Sequence, residues 1–157
     1  MIIVADASPL VALAVCDCLH ILENLFEEVK VAQAVYDEVT VKNKPSANKL
    51  NEYLQGKVSN LTLDDYIISG DTLDEGELKS IALYKQLDAD YLLIDEKAGR
   101  RVAKLNQIKI IGSLGVLIEA KKKGILPILR PKIEILRESK IHFSNSLLDY
   151  ALRAVNE

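Results

Sequence analysis

The stretch IIVADASP, residues 2–9, decides how the rest of the chain is read. Four apolar residues run without alternation into Asp6, and Ser8 and Pro9 then open a new apolar segment, LVALAV. A continuous apolar run of this length is the pattern of a parallel strand covered on both faces. Ser8 and Pro9 have the chemistry of an N-cap and a first helical residue, for a helix running to about Leu19. Asp6 would then lie beyond the carboxyl end of a strand, where open parallel sheets collect their ligands. Plain helix caps occupy the same place, so Asp6 alone is no site.

Working outward, the pattern repeats. Further strands are expected over residues 29–32, 58–63, 91–94 and 108–111. Helical patterns fill the gaps: LHILENLF, QAVYDEVTV, PSANKLNEYLQG between Pro45 and Gly56, EGELKSIALYKQLD, EKAGRRVAKLNQ and SLGVLIEAKKKG. Two more helices are expected after Pro131, over residues 133–138 and 146–155. Strands alternating with helices predict an α/β domain on a parallel sheet. The polar stretch LDDYIISGDTLDEGE, residues 63–77, reads as a loop that would lie over a site.

The chain's 157 residues fit one domain, and 49% hydrophobic with 27% charged residues is globular composition. A net charge of -3 argues against a general polyanion binder, so nucleic-acid contact would need a local basic patch. Cys16 and Cys18, two apart in an expected helix, would point in different directions and form no disulfide. His20 and His142 have no partner at metal-ligand spacing. With no basic leader, and with Asp6 and Asp17 interrupting the first apolar run, the expectation is a reduced, cytoplasmic protein with no membrane span.

Four acids stand at suggestive places. Asp6 and Asp95 each follow a strand. Glu38 borders the apolar face of its helix, where a carboxylate is costly unless paired or metal-bound, although a rim glutamate is the simpler account. Among Asp74, Glu75 and Glu77, Glu77 shares a face with Ile81 and is the inward candidate, while favourable charge in a first helical turn explains all three. Were the four to converge, they would repel unless cations or protons intervened. Oxygen-only ligation favours Mg²⁺ or Mn²⁺ over zinc, and such a site suits phosphodiester hydrolysis.

Spacing does not bring the four together, but a resemblance does. IVADASPLVAL, AVYDEV, LDEGELKSIAL with YLLIDEKAGRRVAK, and IIGSLGVLIEAKKKGIL, in that order, resemble a PIN domain of the branch similar to VapC-type toxin ribonucleases. The tail IHFSNSLLDYAL resembles that branch's terminal helix. The resemblance implies a single PIN-like domain over residues 1–157, with 131–157 as a C-terminal helical extension. Its five-stranded parallel sheet would have the order 3-2-1-4-5, flanked by helices. It implies that Asp6, Glu38, Glu77 and Asp95 hold one or two divalent ions, Mg²⁺ or Mn²⁺, for hydrolysis of RNA. Ser8, Ser113 and Glu96 would support the site, Ser113 having N-capping as its simpler role. Two residues depart from the branch: Glu96 stands where a second aspartate is common, and Glu77 where many toxin relatives carry Asp.

Lys97 and Arg100, on the helix that starts at this place, would hold flanking phosphates of the RNA; a solvated helix face explains them equally. The implied partners are a small antitoxin protein and a second copy in a homodimer. The alternative is a non-catalytic PIN-fold module that binds RNA or protein. Haloacid-dehalogenase-like phosphatases need a second aspartate where Ser8 stands, receiver domains need a lysine absent from IIGSLG, and no P-loop or dinucleotide fingerprint is present.

Overall fold

The computed structural model of the chain describes residues 1–62 and 72–157. Most of the expected loop 63–77 and the last residue of the expected strand 58–63 lie outside the described residues. Five strands form one parallel sheet: β1 (Ile2–Ala5), β2 (Glu28–Ala32), β3 (Val58–Ser59), β4 (Tyr91–Leu93) and β5 (Ile110–Ile111). Their order is β3-β2-β1-β4-β5, as the resemblance implies. Ile3 is in register with Val29 on one side and Tyr91 on the other, which makes β1 the central strand. Ile3, Val4 and Ala5 are all fully buried. Successive strand residues face opposite ways, so both faces of the sheet are covered; that is why the run carries no polar alternation.

The helices among the described residues are α1 (Ala7–Val15), α2 (Ile21–Leu25), α3 (Gln33–Val39), α4 (Ala47–Tyr53), α5 (Glu75–Leu87), α6 (Lys97–Leu105), α7 (Ser113–Lys122), α8 (Arg130–Glu138) and α9 (Asn145–Ala154). Helix α5 packs on β1, β2 and β4, whereas α1 packs with α3, α4, α7 and α8. The last two helices pack on each other, α9 also on α7. Among the described residues no helix is long and apolar enough to cross a membrane.

Several expected boundaries shift: β4 ends at Leu93 rather than at residue 94, β5 covers only Ile110–Ile111 of the expected 108–111, and α8 starts at Arg130 rather than at residue 133. Helix α1 starts at Ala7 with Asp6 as its N-cap, not Ser8, and it ends at Val15 rather than near Leu19. Its end is a Schellman turn: Cys18 N–H donates to Leu13 O at 2.7 Å, Asp17 N–H to Ala14 O at 3.1 Å, and Asp17 takes a left-handed φ of 56°. Cys16 and Cys18 therefore sit in a turn instead of on a helix, both free and buried. Strand β3 stops at Ser59 because the chain then bonds to α5: Thr62 N–H donates to Gln86 Oε1 at 2.8 Å, and Gln86 Nε2 donates to Asn60 O at 2.9 Å.

Candidate active site

The carboxyl ends of β1 and β4 lie side by side, joined where Asp6 N–H donates to Leu93 O at 2.9 Å. Asp6 leaves β1 in an extended conformation, and its side chain makes no capping bond to the first turn of α1. The carboxylate instead points into the protein, 3% exposed, where Ser80 Oγ of α5 donates a long bond of 3.5 Å to Oδ1. Burial pushes its pKa up from 3.8 to about 7; the Ala7 N–H pulls it down, and the charges of Asp74 and Glu38 push it up again.

Glu77 reaches the same neighbourhood from α5. The sequence DEGE, residues 74–77, is a capping box: Asp74 Oδ1 accepts from Glu77 N–H at 2.7 Å, and Glu77 Oε1 reaches back to Asp74 N–H at 3.4 Å. This holds Glu77 inward at 7% exposure. Its other oxygen, Oε2, is buried without a hydrogen-bond partner among the described residues. Burial raises the Glu77 pKa from 4.5 to about 7, followed by its interaction with Asp74 and, last, by the charge of Asp6. Helix α6 passes so close that a Cβ on Gly99 would stand 2.6 Å from Oε2 and 2.5 Å from Ile94 Cδ1.

Asp95 is held differently. Its Oδ1 accepts from Ser113 N–H and its Oδ2 from Ser113 Oγ, both at 2.8 Å. Ser113 is thus not the N-cap of α7; it is the first helical residue, and its hydroxyl clamps Asp95. Burial raises the Asp95 pKa, while Ser113 and the Arg100 charge oppose the rise. Arg100 itself donates from Nη1 to Ile94 O at 2.9 Å. Glu38 is half-buried on α3; burial and then Asp74 raise its pKa, and Lys44 lowers it. Ser8 Oγ donates to Glu96 Oε1 at 3.4 Å.

Ser8, Glu38, Asp95 and Glu96 line one cavity of about 300 Å³. Asp6 and Glu77 are buried outside its lining and interact with each other electrically. Lys97, exposed on the first turn of α6, and Arg100 also stand outside that lining. Asp74, Ser80, Lys44, Lys140 and His142 contribute although the sequence reading gives none of them a place in the site. Asp74 acts electrostatically on Asp6, Glu38 and Glu77, and the D-x-x-E capping box was its legible signal. Lys44, Lys140 and His142 line the cavity from segments remote in sequence, and no local motif marks them.

Among the described residues, no group of three or more His, Cys, Asp or Glu side chains stands arranged to hold a metal ion. The donor chemistry nonetheless fits a divalent ion: oxygen donors only, one with an unpartnered buried atom, and two carboxylates whose charge is penalised by burial and by other carboxylates.

A parallel 3-2-1-4-5 sheet with buried carboxylates beyond its central strands defines a class of α/β domain whose site lies at the sheet's carboxyl edge. The chain belongs to the PIN domain family: the family model DUF3368, described as a PIN domain, matches residues 2–157. The PIN fold is a nuclease fold, and its members typically use divalent metals. No curated protein and no solved structure matches the chain.

Proposed function

We propose that this protein is a divalent-metal-dependent endoribonuclease, the toxin of a toxin–antitoxin pair, acting in the cytoplasm. The observation that carries the reading is the buried pair Asp6 and Glu77, with Glu77 Oε2 lacking a hydrogen-bond partner among the described residues. A protein holds an uncompensated buried acid at a cost, and a bound cation offsets that cost.

In this reading Asp6, Glu38, Glu77 and Asp95 hold Mg²⁺ or Mn²⁺. The bound ion supplies an activated water and neutralises charge on the phosphate under attack. The chain's own residues set the geometry. Ser113 fixes the Asp95 carboxylate through both oxygens, Asp74 orients Glu77 through the capping box, and Ser80 steadies Asp6. Ser8 and Glu96 form a supporting pair at the cavity wall. Lys97 holds an outer phosphate, and Arg100 braces the turn carrying Asp95. A small antitoxin protein restrains the enzyme, which works as a homodimer of single PIN domains with residues 131–157 as the helical extension.

The test is hydrolysis of a mixed RNA pool by wild type and Asp6→Asn, with Mg²⁺ or Mn²⁺ and with chelator. Cleavage requiring both the ion and Asp6 is expected, with Asp6→Asn slower by on the order of 10²-fold or more. Equal cleavage by Asp6→Asn, or undiminished cleavage in chelator, refutes the metal mechanism. RNA binding without cleavage by well-folded wild type would favour the non-catalytic module.

A further inference from the structure

The turn that ends α1 sets Cys16 and Cys18 against each other. Cys16 is the C-cap, at φ -92° and ψ 12°, and Asp17 after it is left-handed at φ 56°. On a helix, side chains two residues apart point away from each other. The left-handed residue breaks that rule here: both cysteine side chains turn inward, and Asp17 between them turns out. Cys16 and Cys18 are 0% exposed, whereas the Asp17 side chain is 83% exposed and meets Lys49 Nζ at 3.6 Å. One left-handed residue keeps the Cα atoms on either side of it at about the helical spacing, ~5.4 Å. Disulfides span roughly 4.4–6.8 Å between Cα atoms, so the backbone already suits a bond between these two sulfurs.

Each thiol also helps to end the helix. Cys16 Sγ donates to Leu13 O at 3.7 Å, and Cys18 Sγ donates to Cys16 O at 3.3 Å. The side chains interact directly, and that contact, ahead of burial, raises the Cys16 pKa. The same contact comes first among the causes that lower the Cys18 pKa. Lys132, half-buried on α8, adds a positive charge that lowers both, and Asp17 opposes it at Cys18. Cys18 is therefore the sulfur that gives up its proton first, and the thiolate is the form that attacks. Asp6 caps the opposite end of α1, about 15 Å away by helix rise, so the pair stands apart from the carboxylate site.

We propose that Cys16 and Cys18 form a peroxide-responsive dithiol switch, in which oxidation joins their sulfurs within one chain and loosens the end of α1. The Cys18 thiolate attacks one oxygen of hydrogen peroxide; the O–O bond breaks, the sulfur becomes a sulfenic acid, and the released hydroxide takes a proton. Cys16 then attacks the Cys18 sulfur. The S–S bond forms, the S–O bond breaks, and hydroxide leaves with the Cys16 proton as water. Two electrons pass from the sulfurs to the peroxide, giving one disulfide and two waters. Closing so short a loop removes little chain entropy, so a cellular thiol readily reverses the bond. While it lasts, both sulfur hydrogen bonds at the helix end are lost.

The test uses the full-length chain, reduced, freed of reductant and exposed to hydrogen peroxide at a dose that oxidises a free dithiol. The chain is then unfolded in maleimide and its intact mass measured. The expected result is loss of two hydrogens with no maleimide taken up, a bond mapped between Cys16 and Cys18 of one chain, and both thiols restored by dithiothreitol. The oxidised chain should melt about 2–4 °C lower. Cys16→Ser should leave Cys18 as a sulfenic acid that dimedone labels, and Cys18→Ser should slow oxidation of the remaining thiol about tenfold. The wild-type measurements need no substitution, so they decide even where a variant folds poorly. Two maleimides on the treated wild type, a bond between chains, oxidation to sulfinic acid, or an unchanged Tm overturns the switch. RNA cleavage plays no part in these readouts.

Discussion

Glu77 and Glu157 each place a carboxylate at the start of a helix, yet their surroundings are opposite. Glu157 accepts from Leu129 N–H at 2.8 Å and Arg130 N–H at 3.0 Å at the head of α8, and Lys121 Nζ lies 3.6 Å away. Those backbone bonds, first among several causes, hold its pKa below the usual value. Among the described residues Glu77 has one oxygen in a long bond and the other in none, and burial drives its pKa up to about 7. One acid stabilises the fold by being fully bonded at the surface. The other is kept inside at a cost to stability, which is the usual trade at a working site.

The largest expected effect comes from the ion. Asp6 and Glu77 have folded pKa values raised to about 7 from 3.8 and 4.5. Between those limits the folded state retains protons that the unfolded state has released, so unfolding free energy falls as pH rises from about 4 to about 7, then levels off. Glu157 has the opposite sign: its contribution is present above the ordinary glutamate value and is lost as pH falls through its lowered folded value. Thermal denaturation in chelator across this range should show the first trend. Adding Mg²⁺ or Mn²⁺ at a hundred times its dissociation constant should then stabilise by about 2.7 kcal/mol, more at high pH than at low, because the ion competes with protons. A metal-induced rise in Tm that grows toward acid pH would contradict this.

Gly99→Ala sharpens the contrast next. The new Cβ would meet Glu77 Oε2 and Ile94 Cδ1 well inside contact distance, so it should cost about 1–3 kcal/mol by denaturant titration and displace the carboxylate. Activity should fall beyond what the stability loss explains; a variant with wild-type stability and rate would show that α6 is free to move away. Ser113→Ala removes one of two bonds to Asp95 and keeps the backbone one. It should cost about 1 kcal/mol and slow cleavage by about tenfold. Glu157→Gln should have the smallest effect, a slight fall in Tm with no change in RNA cleavage, and an activity loss there would break the division between a structural and a working carboxylate.

The features legible in sequence are those with local causes. The runs 2–5 and 91–94 are legible as strands because continuous apolar runs are what doubly covered strands require, and each is followed by an aspartate; the second pairs only over Tyr91–Leu93. The end of α1 is illegible for the opposite reason: in LVALAVCDCLHIL apolar residues resume on both sides of Asp17, and no glycine or proline marks it as the left-handed residue that stops the helix. Ser113 looked like a cap because serine before a helix commonly caps it; only the proximity of Asp95, 18 residues earlier, redirects the hydroxyl.

The sequence by itself determined the parallel sheet, the order of its strand and helix signals, and acids at the ends of β1 and β4, since hydrophobic period and punctuation act over a few residues. Tertiary structure alone decided which acids are buried and left partly unbonded, how Asp95 is clamped, and that Lys44 and Lys140 share a cavity with Glu38 and Asp95. Those properties depend on distances between segments as far apart as Ser8 and Glu96, 88 residues along the chain, and on the low-dielectric surroundings that only packing creates.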